Sequence, residues 1–210
     1  MGIYAIFIII LIAFLLRILY LLVKVVTSEC ALSIQASSFK TIICIGSGGH
    51  TSEILRLMSN LNTRKFGPRL YILADSDTSS EVKIHNMENG STSYTLCRIP
   101  RSRNVKQTYS SSIFTTIYAT LSTIPIVYKF APNVILCNGP GTCIPVCAVA
   151  FLLRCLFLLD SRIIYIESLC RVRTLSLSGK ILQYFADIFI VQWPQLRDNC
   201  YRAKYFGRLT

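Results

Sequence analysis

Apolar positions in this chain follow two rhythms, and the switches between them lay out its elements. From Gly2 to Leu16 nearly every residue is apolar, and the run continues past Arg17 to Val26. That is about two dozen residues, enough to cross a hydrocarbon core of ~30 Å. A small, polar stretch follows over 28–39, and then short β-branched runs alternate with stripes of helical period. The runs predict strands over 42–45, 69–74, 94–99, 132–138, 162–166 and 187–192. Between them, helices are predicted over 53–61, 79–86, 109–130, 143–159 and 176–186, with 109–130 interrupted near Pro125. Strand-helix alternation of this kind argues an α/β fold, a Rossmann-like doubly wound parallel sheet. The expected organisation is a transmembrane anchor over 1–27, a linker over 28–39 and one domain over 40–210. The tail from Leu196 to Thr210 reads as an edge or interface segment.

The apolar N-terminal run reads as an anchor. A cleaved signal peptide would carry basic residues ahead of a shorter apolar core, and no Lys or Arg precedes this run, although Val26-Thr27-Ser28 offers small residues for cleavage. Arg17, Lys24 and Lys40 all lie toward its C-terminal end, which by the positive-inside rule puts the domain in the cytoplasm. Arg17 can snorkel if it lies near the interface. The helix over 143–159 is short for a second span and carries Pro145 and Arg154, so it reads as a buried crossover helix, with a membrane-lying helix as the alternative. The Ser- and Thr-bearing face of 109–130 could likewise lie against lipid headgroups.

Charge narrows the partners. The net charge is +12, from 22 basic and 10 acidic residues, yet only 15% of residues are charged and 52% are apolar. That balance fits a membrane surface or a phosphorylated ligand. Nucleic acid is set aside, because no motif of a nucleic-acid-binding module is present. Nine cysteines are scattered without CxxC pairs or a neighbouring histidine cluster. They read as reduced, buried thiols, which argues against a disulfide framework and structural zinc and for a reducing compartment.

The chemistry gathers at strand ends. Ile45-Gly46-Ser47-Gly48-Gly49-His50-Thr51-Ser52 runs from a strand into a helix, and the first amides of such a helix attract anions. Neither standard nucleotide-phosphate spacing is met. Thr51 or Ser52 can cap the helix, and His50 stands at the mouth of the turn. A second glycine turn, Gly139-Pro140-Gly141-Thr142, follows the fourth strand, and a parallel sheet puts both turns on one edge. Arg98, near the end of the third strand, and Arg101, Arg103 and Lys106 just past it form a cation cluster, where guanidinium forks suit phosphate oxygens. Glu167 ends the fifth strand as a general base, a sugar-hydroxyl acceptor or a partner of Arg171 or Arg173. Asp75 and Asp77 could hold a divalent cation, but capping of the next helix is the better account.

Five stretches together resemble one family. They are Gly46 to Glu53, Ile99 to Arg103, Leu136 to Thr142, Tyr165 to Val172 and Val191 to Pro194. They are similar to the asparagine-linked glycosylation protein 14 family. Its members are membrane subunits of the two-part transferase that adds the second N-acetylglucosamine to dolichyl-pyrophosphate-N-acetylglucosamine. The Gly-Ser-Gly-Gly-His loop is also shared with the bacterial transferase that makes lipid II. The resemblance implies the N-terminal half of a GT-B glycosyltransferase, and the ~180 residues after the anchor have room for one domain. It implies a soluble partner that binds UDP-N-acetylglucosamine, a site on the endoplasmic reticulum membrane, neighbouring transferases of the same pathway and no cofactor or metal. The acceptor pyrophosphate is then expected at Gly46, Ser47, Gly48, Gly49, Thr51, Arg101, Arg103, Gly139, Gly141 and Thr142. His50, or Glu167, is expected to take the proton from the acceptor hydroxyl. The alternatives are a purely non-catalytic scaffold for the partner and a stand-alone enzyme acting on phosphorylated lipids.

Overall fold

A computed structural model describes residues 2–27, 37–91, 93–103, 107–198, 200 and 202–209. Most of the expected linker and the expected basic position Lys106 lie outside the described residues. Strands form where β-branched and aromatic residues crowd between turn signals. They are β1 (Thr41–Cys44), β2 (Arg69–Ala74), β3 (Tyr94–Ile99), β4 (Val134–Asn138), β5 (Arg162–Ile166), β6 (Ile188–Val191) and β7 (Ala203–Tyr205). All pair in parallel, in the order β3-β2-β1-β4-β5-β6-β7. Chain direction reverses across the sheet between β1 and β4, so both glycine turns emerge side by side at the switch point.

The helices are α1 (Gly2–Val26), α2 (Gly49–Ser59), α3 (Thr78–Met87), α4 (Tyr109–Phe130), α5 (Cys143–Cys155), α6 (Leu177–Leu182) and α7 (Pro194–Asp198). They cover the sheet from two sides. One apolar cluster packs Ile43, Tyr71 and Leu73 against Ile54, Met58 and Ile84 of α2 and α3. The other packs Ile42, Ile72 and Ile135 against α5, Val127 of α4 and Leu21 of α1. Ten of the thirteen residues of α5 are buried, which gives it the crossover role expected of it. α1 is apolar and long enough to cross a membrane, and its C-terminal half packs on the domain, through Leu21 and Val25 with Phe14, Ile18 and Leu22 beside them.

Three expectations change, and the tail, read as an edge segment, takes that place. α2 begins at Gly49 and not Glu53, so Thr51 and Ser52 stand inside the helix, and the N-cap is Gly48 with no side-chain cap. Thr51 instead donates from Oγ1 to the Gly46 carbonyl, pinning the turn from beneath. α4 runs unbroken through Pro125. The missing N–H leaves only the carbonyl of exposed Leu121 without its helical donor, while Thr120, Ser122 and Thr123 bond back to carbonyls four residues earlier. α5 stops at Cys155, where a turn with Phe157 at φ 60° replaces its expected last residues. The tail adds α7 and a seventh, edge strand. Asp77 caps α3, accepting from the Ser80 amide at 3.2 Å, while Asp75 is exposed.

Candidate functional site

The two glycine turns interlock. Gly46 lies so close to Pro140 and His50 that a Cβ there would stand 2.4 Å from Pro140 Cβ. Gly139 has φ +69°, and a Cβ on it would meet the His50 ring at 2.8 Å. Only glycine fits both needs at that position. Thr142 donates from Oγ1 to the Ile45 carbonyl at 2.9 Å, tying the second turn to the end of the first strand. Gly48, with φ +67°, and Gly49 are exposed and have nothing within 4 Å of an added Cβ. A ligand can therefore reach the first amides of α2 directly.

These turns floor a cavity of about 1200 Å³. Gly46, Ser47, Gly49, His50, Arg101, Arg103, Gly139, Gly141 and Thr142 all line it, whereas Gly48, Thr51 and Glu167 do not. Arg101 reaches from the loop after β3 to the glycine turn, donating to Ser47 Oγ at 3.2 Å and to Ser76 Oγ at 3.4 Å. Arg103 donates to the Gln107 carbonyl at 3.0 Å, and Thr115 and Thr116 of α4 donate to the Ser102 carbonyl at 2.6 and 3.2 Å. Arg98 departs from the cluster, because it pairs with Glu81 of α3 on the surface. The far wall is apolar, with Ile113 and Ile117 of α4, Ile144 of α5 and Ile181 of α6. The cavity thus has a cationic, amide-rich end and an oily end.

His50 packs its ring against Gly139, and its Nδ1 is buried without a hydrogen-bond partner among the described residues. Glu167 is fully buried beneath the floor. Its carboxylate accepts from the Ser176 amide at 2.9 Å, the Ser168 amide at 3.1 Å and the hydroxyls of Ser176 and Tyr165 at 3.1 and 3.3 Å. Burial, and then the Glu167 charge beside it, push the Tyr165 hydroxyl above its ordinary range. A carboxylate so enclosed holds the loop from 168 to 176 in place.

Sequence reasoning overlooked Glu53, which lines the cavity one turn after His50. It accepts from Ser168 Oγ at 2.8 Å, the Leu169 amide at 3.0 Å and Asn138 Nδ2 at 3.1 Å, clamping the loop after β5 to α2. The available signal was spacing, since positions three apart share a helix face. Among the described residues, Cys44, Cys137 and Cys143 have ligand atoms within 4.8 Å of one another, close enough to hold an ion. Register explains the meeting, because Cys44 and Cys137 are neighbours across β1 and β4. These thiols are fully buried in the core and do not line the cavity, and burial pushes Cys137 and Cys143 well above the ordinary thiol range.

Comparison with known proteins gives the family and the fold. The family described as "Oligosaccharide biosynthesis protein Alg14 like" matches residues 41–209. The mouse protein named UDP-N-acetylglucosamine transferase subunit ALG14 is 48% identical over 183 residues, 82% of this chain and 84% of that one. The human protein of that name is 44% identical over 182 residues, with the same two coverages. The Yarrowia lipolytica protein of that name is 44% identical over 178 residues, 83% of this chain and 82% of its own. Among solved structures, Acinetobacter baumannii MurG superposes with a TM-score of 0.58 at 14% identity, over 80% of this chain and 45% of MurG. The fold is that of one half of a GT-B glycosyltransferase, and the chain belongs to the Alg14-like family.

Proposed function

We propose that this chain is the membrane-anchored, acceptor-holding subunit of a two-chain UDP-N-acetylglucosamine transferase. In this reading it adds the second N-acetylglucosamine to dolichyl-pyrophosphate-N-acetylglucosamine, together with a soluble partner that supplies the UDP-sugar, on the cytoplasmic face of the endoplasmic reticulum. The observation that carries it is that one cavity has both an anion-binding end and an apolar end. A lipid-linked pyrophosphate has that same polarity. Its phosphates fit the first amides of α2 from Gly49 and the Arg101 and Arg103 guanidiniums, and its isoprenoid fits the wall of Ile113, Ile117, Ile144 and Ile181. The same helix, α4, also exposes Phe114, Tyr118 and Leu121, an apolar surface suited to lying on a bilayer.

The mechanism follows from what lines the polar end. The acceptor hydroxyl attacks the anomeric carbon of the partner-bound sugar, a C–O bond forms, and the bond to the UDP oxygen breaks. His50 takes the hydroxyl proton. Glu53 holds the loop bearing Ser168 against the site, and Glu167 shapes the floor from below. The tail, with exposed Tyr205 and Phe206, is the surface offered to the partner. It is tied to the site, since the Leu209 amide donates to Gln192 Oε1 and Trp193 Nε1 donates to the Leu169 carbonyl.

The test is transfer from labelled UDP-N-acetylglucosamine to dolichyl-pyrophosphate-N-acetylglucosamine by the purified chain, with and without the soluble partner. Activity only with the partner, lost in His50→Ala while the complex still forms, supports the reading. Activity retained by that mutant complex makes the chain a non-catalytic scaffold, and activity without a partner makes it a stand-alone enzyme.

A further inference from the structure

A second cavity, of about 350 Å³, lies where the anchor meets the domain, away from the acceptor site. Arg17, Tyr20 and Lys24 of α1 form one wall, and Phe157, Leu158 and Arg162 form the other. The acceptor site occupies the carboxyl edge of the sheet. This cavity borders the opposite edge, where Arg162 begins β5.

Its electrostatics are unbalanced. Arg17, Lys24, Arg154 and Arg162 line it against one carboxylate, Asp160. Asp160 is already shared, at 3.4 Å from Arg162 and 3.6 Å from Arg154, and Arg154 is also held by Asp187 at 2.8 Å. Arg17 is different. Its guanidinium lies 4.0 Å over the Phe157 ring and 5.5 Å from that of Tyr20, and its Nε is buried with no hydrogen-bond partner among the described residues. Aromatic faces attract a cation but leave its N–H donors unused. Phe157 holds its place from a left-handed backbone, φ 60°, which a bulky residue adopts only at a cost.

Depth supplies the remaining constraint. At 1.5 Å per residue, about twenty residues of α1 fill a ~30 Å hydrocarbon core. The near interface is set by the cations of α1 and falls between them, with Arg17 roughly one turn inside it and Lys24 just beyond. Long cationic side chains at those depths reach to the phosphate and glycerol layer. Exposed Leu15, Leu16 and Leu19 of α1 and Leu156 and Leu158 beside the cavity offer apolar surface for acyl chains.

We propose that this cavity binds the phosphate headgroup of an anionic phospholipid in the leaflet that faces the domain, with Arg17 and Lys24 as its ligands and Phe157 orienting Arg17. The lipid fixes how the domain stands on the bilayer. This rests on α1 being the anchor, and is independent of what fills the acceptor cavity.

The test uses the full chain reconstituted into phosphatidylcholine bilayers containing a minority of phosphatidylserine, each lipid in turn carrying a photoactivatable headgroup. Crosslinks to the segment 154–162 should favour phosphatidylserine. In Arg17→Gln/Lys24→Gln that preference should fall about thirtyfold, the effect expected for two interfacial cations. Phe157→Gly, which accepts the left-handed backbone, should weaken it while leaving the fold intact. Equal labelling by the two lipids, or an unchanged preference in the double variant, overturns the site. Loss of the preference in millimolar inorganic phosphate, at matched ionic strength, overturns the lipid as its source and assigns it to free phosphate. A chain that carbonate strips from the bilayer overturns anchor and site together, whereas one that resists stripping but shows no preference overturns the site alone.

Discussion

The two edges of the sheet use the same kinds of residue in opposite ways. At the amino edge, the guanidinium of Arg69 is bound in a fork by Glu88, with both contacts at 2.6 Å, and donates to the Thr63 carbonyl at 2.8 Å. Tyr71 completes Glu88 at 2.5 Å. Asp187 there accepts from Arg154 at 2.8 Å and from the Ile163 amide at 2.9 Å. At the carboxyl edge, His50 Nδ1, Ser102 Oγ and Asn138 Oδ1 are buried with no partner among the described residues. Buried polar groups are ordinarily paired, and an exception asks for a reason. The Arg69 and Asp187 pairs hold the fold together, whereas the unpartnered groups at the carboxyl edge, like Arg17 Nε in the second cavity, stand where a ligand can bring the missing partner. Glu167 sharpens the distinction. It stands at the carboxyl edge, yet its filled carboxylate behaves like the amino-edge pairs.

Breaking the two edges should therefore give opposite results. His50→Ala is expected to lower transfer by the complex with its partner by about 10²–10⁴-fold, the usual contribution of a positioned base. Its thermal midpoint should match that of the parent. A large fall in the midpoint would place His50 with the structural pairs. Arg69→Ala should do the reverse, because removing one partner strands a buried Glu88 and costs about 3–5 kcal/mol. Chemical denaturation, followed through the fluorescence of the single tryptophan, Trp193, measures that loss. Activity per folded molecule should stay near the parent value.

That contrast also explains what could be read from the residues alone. The strands and most helices were legible because each β-branched run is bounded by turn residues and each amphipathic stripe has a core to face. Interlocking of the two glycine turns was legible only as a shared edge. The contact of Gly139 with the His50 ring depends on crossover geometry between residues 89 apart in the chain. The three readings of Glu167, as base, hydroxyl acceptor or partner of Arg171 or Arg173, could not be separated, because a strand-end carboxylate looks alike whether it faces a cavity or four donors. Ser176, nine residues on, decides which, and no local pattern points to it. Glu53 was missed for the converse reason, since its partners come from much later in the chain, Asn138 at the end of β4 and Ser168 in the loop after β5. Unbroken passage through Pro125 was hidden because the lost hydrogen bond falls on an exposed carbonyl, where it costs little.

A smaller effect is expected where the carboxyl edge meets substrate phosphate without taking part in proton transfer. Arg101→Gln should raise KM for the lipid acceptor about 10–100-fold, as for the loss of a hydrogen bond to a charged group, with kcat nearly unchanged. A fall in kcat with constant KM would move Arg101 from binding to transition-state stabilisation. Glu167→Gln should lower stability and the order of the 168–176 loop before it touches chemistry. Hydrogen exchange in that loop reads the effect directly.

The gentlest probe is pH, and it addresses the amino edge alone. Burial would raise the Glu88 carboxyl, but hydrogen bonds from Arg69 and Tyr71 outweigh it and hold the group below the ordinary glutamate range. The unfolded chain therefore binds a proton at higher pH than the folded one does. Stability from this pair is complete above the unfolded value, near 4.3, and drains away as pH falls through the lower folded value. Denaturation midpoints of the parent should thus be level at neutral pH and decline below about pH 5. Glu88→Gln should start lower, because Arg69 has lost its counter-charge, and should decline less steeply across that window. Equal slopes for parent and variant would assign the acid sensitivity to other carboxylates. They would also mean that the amino edge is held by packing around Arg69 and Tyr71 more than by the charge of Glu88.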